Sequence, residues 1–135
     1  MTQYEVPDDK RVATLGRVGP DWCLVDDGKH EWLLRLPAVT RIGGLGDRAV
    51  DARHRSLGAR LGFGSVLRGV SDEGAPVLVH LLAGPTVRGA VWRVGADFLE
   101  VRLGADDPWA GGASARVEVV AFGAVSAVRR GQVKV

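Results

Sequence analysis

The sequence predicts an all-β fold built twice, as two tandem small five-stranded barrels with one short helix ahead of the second. The phrase RVGPDW at residues 17–22 returns as RVGADF at 93–98, at an offset of 76. A repeat at fixed offset marks one small structural unit made twice. Short segments alternate apolar and polar residues as half-buried strands do. In FLEVRL, Leu99, Val101 and Leu103 share one face and Phe98, Glu100 and Arg102 the other. Abundant Val with 19 Gly fits strands joined by tight turns.

Laid over one another at that offset, TQYEV–PDDK–RVATLG–RVGPDWCLV and LVHLL–AGPT–VRGAVW–RVGADFLEV align without a gap. Arg17/Arg93, Val18/Val94, Gly19/Gly95, Asp21/Asp97 and Val25/Val101 are identical, and Trp22 meets Phe98. The match resumes at an offset of 86, where EWLLRLPAVTRI lies over VEVVAFGAVSAV with Ala38/Ala124 and Val39/Val125 identical. The extra residues fall between DDGK, a tight hairpin, and the longer LGADDPWAGGASA, where an insertion is tolerated. Strands are therefore expected at 2–6, 10–18, 21–26, 31–36 and 38–42, and again at 77–82, 86–94, 97–103, 116–121 and 125–130. Ser65 is placed to cap a short helix through about Val70, with Val66, Leu67 and Val70 on one side and Gly74 and Pro76 ending it. The organisation expected is a first unit at 1–44, an Arg-rich linker at 45–63, a second unit with its helix at 64–131, and a tail at 132–135.

Composition narrows the class. A hydrophobic fraction of 46% with 25% charged residues builds a core and excludes a disordered chain. Net charge is +2 and the sequence pI about 9.1, mildly basic, with Lys10, Lys29 and Lys134 against fifteen Arg. The lone Cys23 excludes an intramolecular disulfide and fits a reducing compartment. No apolar run approaches a membrane span, and MTQYEVPDDK carries no signal-peptide pattern, so a cytoplasmic location is expected.

A short helix followed by a bent five-stranded meander, with a break between strands three and four, resembles the Sm-like fold of Sm, LSm and Hfq proteins. RGAVWRVGADFLEV is similar to that family's first motif and VVAFGAVSAV to its second. PRC-barrel and other SH3-like barrels share much of the pattern, and the duplicated arrangement resembles proteins of G+C-rich Gram-positive bacteria. The resemblance implies uridine- or adenine-rich RNA binding at the pore of a ring, and burial of fourth- and fifth-strand edges against neighbours. It also implies a base-reading Asn in the first motif and a basic or His residue in the second. Those positions hold Leu24 and Glu100, then Leu36–Pro37 and Phe122–Gly123, so the fold carries over and the RNA site does not.

Enzymatic chemistry is not expected. Gly44-Leu45-Gly46-Asp47-Arg48-Ala49 has a dinucleotide-like spacing but is not followed by a βαβ pattern. His30, His54 and His80 stand apart from other ligands, so no metal or other cofactor is expected. Asp8–Asp9, Asp26–Asp27 and Asp106–Asp107 fall in predicted turns, and no Ser, Cys or Lys has an activating partner. Two features point to partners. Arg48, Arg53, Arg55, Arg60 and Arg68 cluster around the linker and read either as phosphate contacts or as a solvated connector. Trp109, between Pro108 and Gly111–Gly112, either folds onto a barrel or anchors a partner. Two functions from different classes follow. One is a non-enzymatic module binding RNA or DNA through phosphates in a regulatory role. The other is a protein-interaction or assembly scaffold that uses its edge strands and binds no nucleic acid. Either includes a homo-oligomer or intramolecular pairing of the two barrels.

Overall fold

Tight turns divide the chain into strands. At DDGK, Asp26 Oδ1 accepts from the Gly28 N–H at 2.7 Å, and Asp27 Oδ1 accepts from Lys29 and His30 at 2.8 and 2.7 Å. Gly28 supplies the left-handed φ of 92° that the reversal needs. A computed structural model describes residues 2–6, 9–44, 61–104 and 116–130. The first unit contains β1 (Thr2–Val6), β2 (Asp9–Val18), β3 (Trp22–Asp26), β4 (Glu31–Arg35) and β5 (Arg41–Gly43). Helix α1 (Phe63–Glu73) precedes β6 (Val77–Leu81), β7 (Val87–Val94), β8 (Phe98–Leu103), β9 (Arg116–Ala121) and β10 (Val125–Arg130).

A 3₁₀ turn separates the fourth strand from the fifth, Leu36–Ala38 in one unit and Phe122–Ala124 in the other. Pro37 sits in the first of these turns, where its missing N–H costs nothing. As a result β5 begins at Arg41, and the strand expected from 38 is shorter than the sequence suggested. The helix is longer than expected. Gly62 occupies the N-cap position instead of Ser65, with no side-chain cap of its own. The Phe63 N–H donates to Asp21 Oδ1 at 2.9 Å, a cap supplied from across the molecule. Gly74 closes the helix at φ 69°.

The repeat extends to individual hydrogen bonds. Gly19 N–H donates to Trp22 O, and Gly95 N–H to Phe98 O, both at 2.8 Å. A Cβ on either glycine would run into the Trp22 or Phe98 ring that packs over it. Thr40 Oγ1 donates to Glu5 O at 3.0 Å, and Ser126 Oγ to His80 O at 3.1 Å. The same irregularity interrupts both second hairpins, after Leu15 and after Val91. The gapless alignment needs one correction. Thr2 lies opposite Ala13 and Val77 opposite Gly89, so the first strands are related by 75 residues instead of 76. The turn between the first two strands of the second unit is one residue longer and absorbs the difference. A one-residue slip exchanges the faces of a strand, so Tyr4 is the counterpart of buried Val79 and not of His80.

The expectation of two barrels is also corrected. The ten strands among the described residues form one antiparallel sheet in the order β5-β1-β2-β3-β4-β10-β6-β7-β8-β9. The order is the same five-strand run written twice, joined where β4 pairs with β10. An unpaired β4 would present bare backbone N–H and C=O groups beside an apolar side-chain face, and pairing with β10 removes that exposure.

Packing makes the joint structural. One buried cluster unites Trp22, Leu24 and Leu33 of the first unit with Phe63, Leu67 and Val70 of α1 and with Val79, Leu99, Val101 and Val128 of the second. A second fills the first unit with Tyr4, Ala13, Cys23, Val25, Trp32 and Leu34, and takes Ala127 from β10. Strands β3 and β4 are therefore buried on both faces, which explains their continuous apolar runs WCLV and WLL.

Candidate functional site

The sheet has two ends, and they are unlike. Among the described residues, β9 at one end pairs only with β8, and β5 at the other pairs only with β1. The first four residues of β9 and all three of β5 are exposed. Val119 is 66% exposed, Val117 47% and Ile42 38%. A shallow cleft lined by Tyr4, Glu5, Arg41 and Ile42 borders β5.

The internal joint shows what such edges do when paired. Ala127 lies opposite Leu34, Val128 opposite Leu33, Arg129 opposite Trp32 and Arg130 opposite Glu31. Leu33 and Val128 are both fully buried. Arg130 reaches Glu31 at 3.4 Å and Glu73 of α1 at 3.0 Å. Arg35 crosses the joint with Nε donating to Val125 O at 2.8 Å. Below the pairing, Trp32 donates through Nε1 to Asp27 Oδ2 at 2.8 Å. Its ring centroid is 4.9 Å from that of His80, with the Arg11 guanidinium 4.2 Å away.

A second surface lies on the outward side of β7 and β8. Trp92 is 47% exposed, and Arg102 sits over its ring at 4.9 Å. Arg93 pairs with Glu100 at 3.7 Å, and Arg88 is exposed on the same strand. The counterpart of Trp92 in the first unit is Gly16, so the repeated architecture does not require an aromatic ring there.

Of the residues singled out from sequence, Arg48, Arg53, Arg55, Arg60 and Trp109 lie outside the described residues. Arg68 is exposed on α1. The positions that replace base-reading residues have structural surroundings. Leu24 is buried, and Phe122 packs edge-on against Phe63 at 5.2 Å between centroids. Glu100 is held by Arg93, and Leu36 packs against the first-unit core. Among the described residues no group of three His, Cys, Asp or Glu side chains is placed to hold a metal ion, and no helix is long and apolar enough to cross a membrane. Burial pushes the Cys23 thiol up to about 11, so it is no nucleophile at neutral pH. Sequence reasoning passed over Ile42, Val117, Val119 and Trp92. A signal was present in VEVVA, where valines occupy both faces of a segment expected to have one solvated side. No family model, curated protein or solved structure matches the chain.

Proposed function

We propose that the chain is a non-enzymatic Sm-like assembly module that binds other polypeptides through the free edges of its sheet. The observation that carries this reading is the joint between β4 and β10. There a fourth strand and a fifth strand from different units pair edge to edge, as the Sm resemblance implies for neighbouring units. Among the described residues one edge of each kind is left over, on β9 and β5, with apolar side chains exposed beside it. Strand addition of this kind draws affinity from main-chain hydrogen bonds and specificity from alternate side chains. The test is a variant that blunts the edge without touching the core. Val119→Lys places a charge at a site that is 66% exposed and should abolish association in sedimentation while leaving the circular dichroism unchanged. Unchanged association would count against the reading.

A second reading, nucleic-acid binding through phosphates, is favoured by the surface bearing Trp92, Arg88, Arg93 and Arg102. An exposed ring beside guanidinium groups suits a stacked base and its backbone. Affinity for oligo-U or oligo-A should then fall with salt, at a log–log slope of about −0.7 per phosphate contact. Trp92→Ala should weaken binding to all sequences alike. No binding at low salt would remove this reading.

A further inference from the structure

The duplication also repeats a corner that holds the end of a helix. Besides the bonds from Gly19 and Gly95, the Leu36 N–H donates to Asp21 O and the Phe122 N–H to Asp97 O, both at 2.9 Å. The turns RVGPDW and RVGADF thus share one main-chain frame, and Asp97 and Phe98 stand where Asp21 and Trp22 stand in the first unit.

The first corner is filled. Gly62, at the N-cap of α1, offers no side-chain acceptor. Asp21 Oδ1 accepts the Phe63 N–H at 2.9 Å in its place, and Trp22 Nε1 donates to Leu61 O at 2.6 Å. A carboxylate at this point also faces the positive end of the helix dipole. Helix α1 itself belongs to the second unit, where Phe63 packs on Phe122, and it gives its free end to the unit before. At the second corner Asp97 is exposed, Phe98 is half-buried, and Asp97 accepts no helix N–H among the described residues. Two receiving corners stand against one described helix.

We propose that Asp97 and Phe98 receive the N-terminal end of an α-helix from a different polypeptide. A second copy of this chain does not suit, because the end of its own α1 is already held by Asp21. The partner helix lacks an acceptor at its N-cap, as α1 does, so that its first N–H is left for the Asp97 carboxylate. Its first turn carries a large apolar residue, the counterpart of Phe63. Phe98 has no N–H with which to repeat the Trp22 bond, so the second corner holds its helix by one polar tie and ring packing. That makes the partner exchangeable, whereas α1 stays in place. The contact uses side chains at a turn and is independent of the strand edges.

The probe is an acetylated peptide of residues 61–74 carrying Arg68→Lys, with that side chain joined to Asp72 by a lactam. The bridge is needed because so short a helix is marginal alone, and both bridged positions are exposed on α1. The peptide is titrated to millimolar concentration into the isotope-labelled full-length chain. Amide shifts should appear at Asp97 and Phe98 and be absent at Asp21. Asp97→Ala should weaken binding about tenfold, whereas Asp97→Asn, whose amide oxygen also caps a helix, should stay within about threefold. Asp97 is exposed, so both variants fold. N-methylation of the peptide at Phe63, which removes the donor, should cost as much as Asp97→Ala. Absence of shifts at Asp97 and Phe98 overturns the proposal, as does binding that ignores Asp97→Ala. Shifts at Asp21 and Phe63 would show the peptide displacing α1 and would equally overturn it.

Discussion

At the scale of single residues, Asp27 is the clearest case of chemistry set by geometry. Partial burial acts to raise its pKa. The His30 N–H, the Trp32 indole, the Lys29 N–H and the nearby His30 outweigh it and bring the carboxyl down to about 2. A carboxyl whose pKa is depressed on folding contributes stability above its unfolded pKa of about 4 and loses it as pH falls through the folded value. Acid titration should therefore show a loss of stability between about pH 4 and pH 2 that Asp27→Asn diminishes. Asp27→Ala should cost roughly 1–2 kcal/mol at neutral pH, because one acceptor satisfies several donors. Urea melts across that pH range would measure both. The two turn glycines offer a sharper contrast. Gly95→Ala places a methyl group inside the Phe98 ring, whereas Gly123→Ala meets nothing within 4 Å. The first should destabilise by about 1–3 kcal/mol, the magnitude of an overpacked site, and the second by less than about 0.5 kcal/mol.

At the scale of elements, equivalent positions of the repeat have different energetics because their strands have different neighbours. Leu33→Ala empties a fully buried site opposite Val128, in the cluster that both units share, and should cost about 2–5 kcal/mol. Val119→Ala, at the same place in the second unit, should cost less than about 1 kcal/mol in the isolated chain. Thermal denaturation of the two variants decides this. The strands themselves were legible in the sequence, since alternation and turn chemistry are local signals. FLEVRL and DDGK became β8 and the β3–β4 hairpin. What was not legible depended on contacts distant in sequence. The helix starts at Phe63 because Asp21, 42 residues earlier, accepts its N–H, whereas the cap visible in the nearby sequence was Ser65. The slip at Tyr4 was not legible because a difference of one residue in a turn leaves no trace in composition.

At the scale of the whole molecule, the sequence disclosed that a unit was repeated but not how the copies meet. Two separate barrels and one continuous sheet share the same local pattern. They differ only in whether β4 finds β10, which is decided by the long-range burial of Leu33 and Val128. The candidate site was less legible still, because an edge exists only once the strand order is known. Since one buried cluster spans both units and α1, the chain should unfold as a single cooperative body. Tryptophan fluorescence, to which buried Trp22 and Trp32 in the first unit contribute, should then report the same midpoint as far-ultraviolet dichroism. Two separated midpoints would show that the halves melt alone. Leu67→Ala, in the helix between the units, should lower the one shared midpoint.

The place of β10 has a consequence for synthesis on the ribosome. The last described strand of the chain is the sixth of ten across the sheet, and it closes over β4 through a contact that spans 90 residues. At about 5–20 residues per second, β4 waits roughly 5–20 s for its partner to emerge. Throughout that interval WLL is an uncovered strand edge on a half-made protein, beside every other nascent chain on the same message. The vulnerable stage in the life of this protein is therefore its birth, and a holdase that shields residues 31–35 would raise its yield without altering the finished molecule.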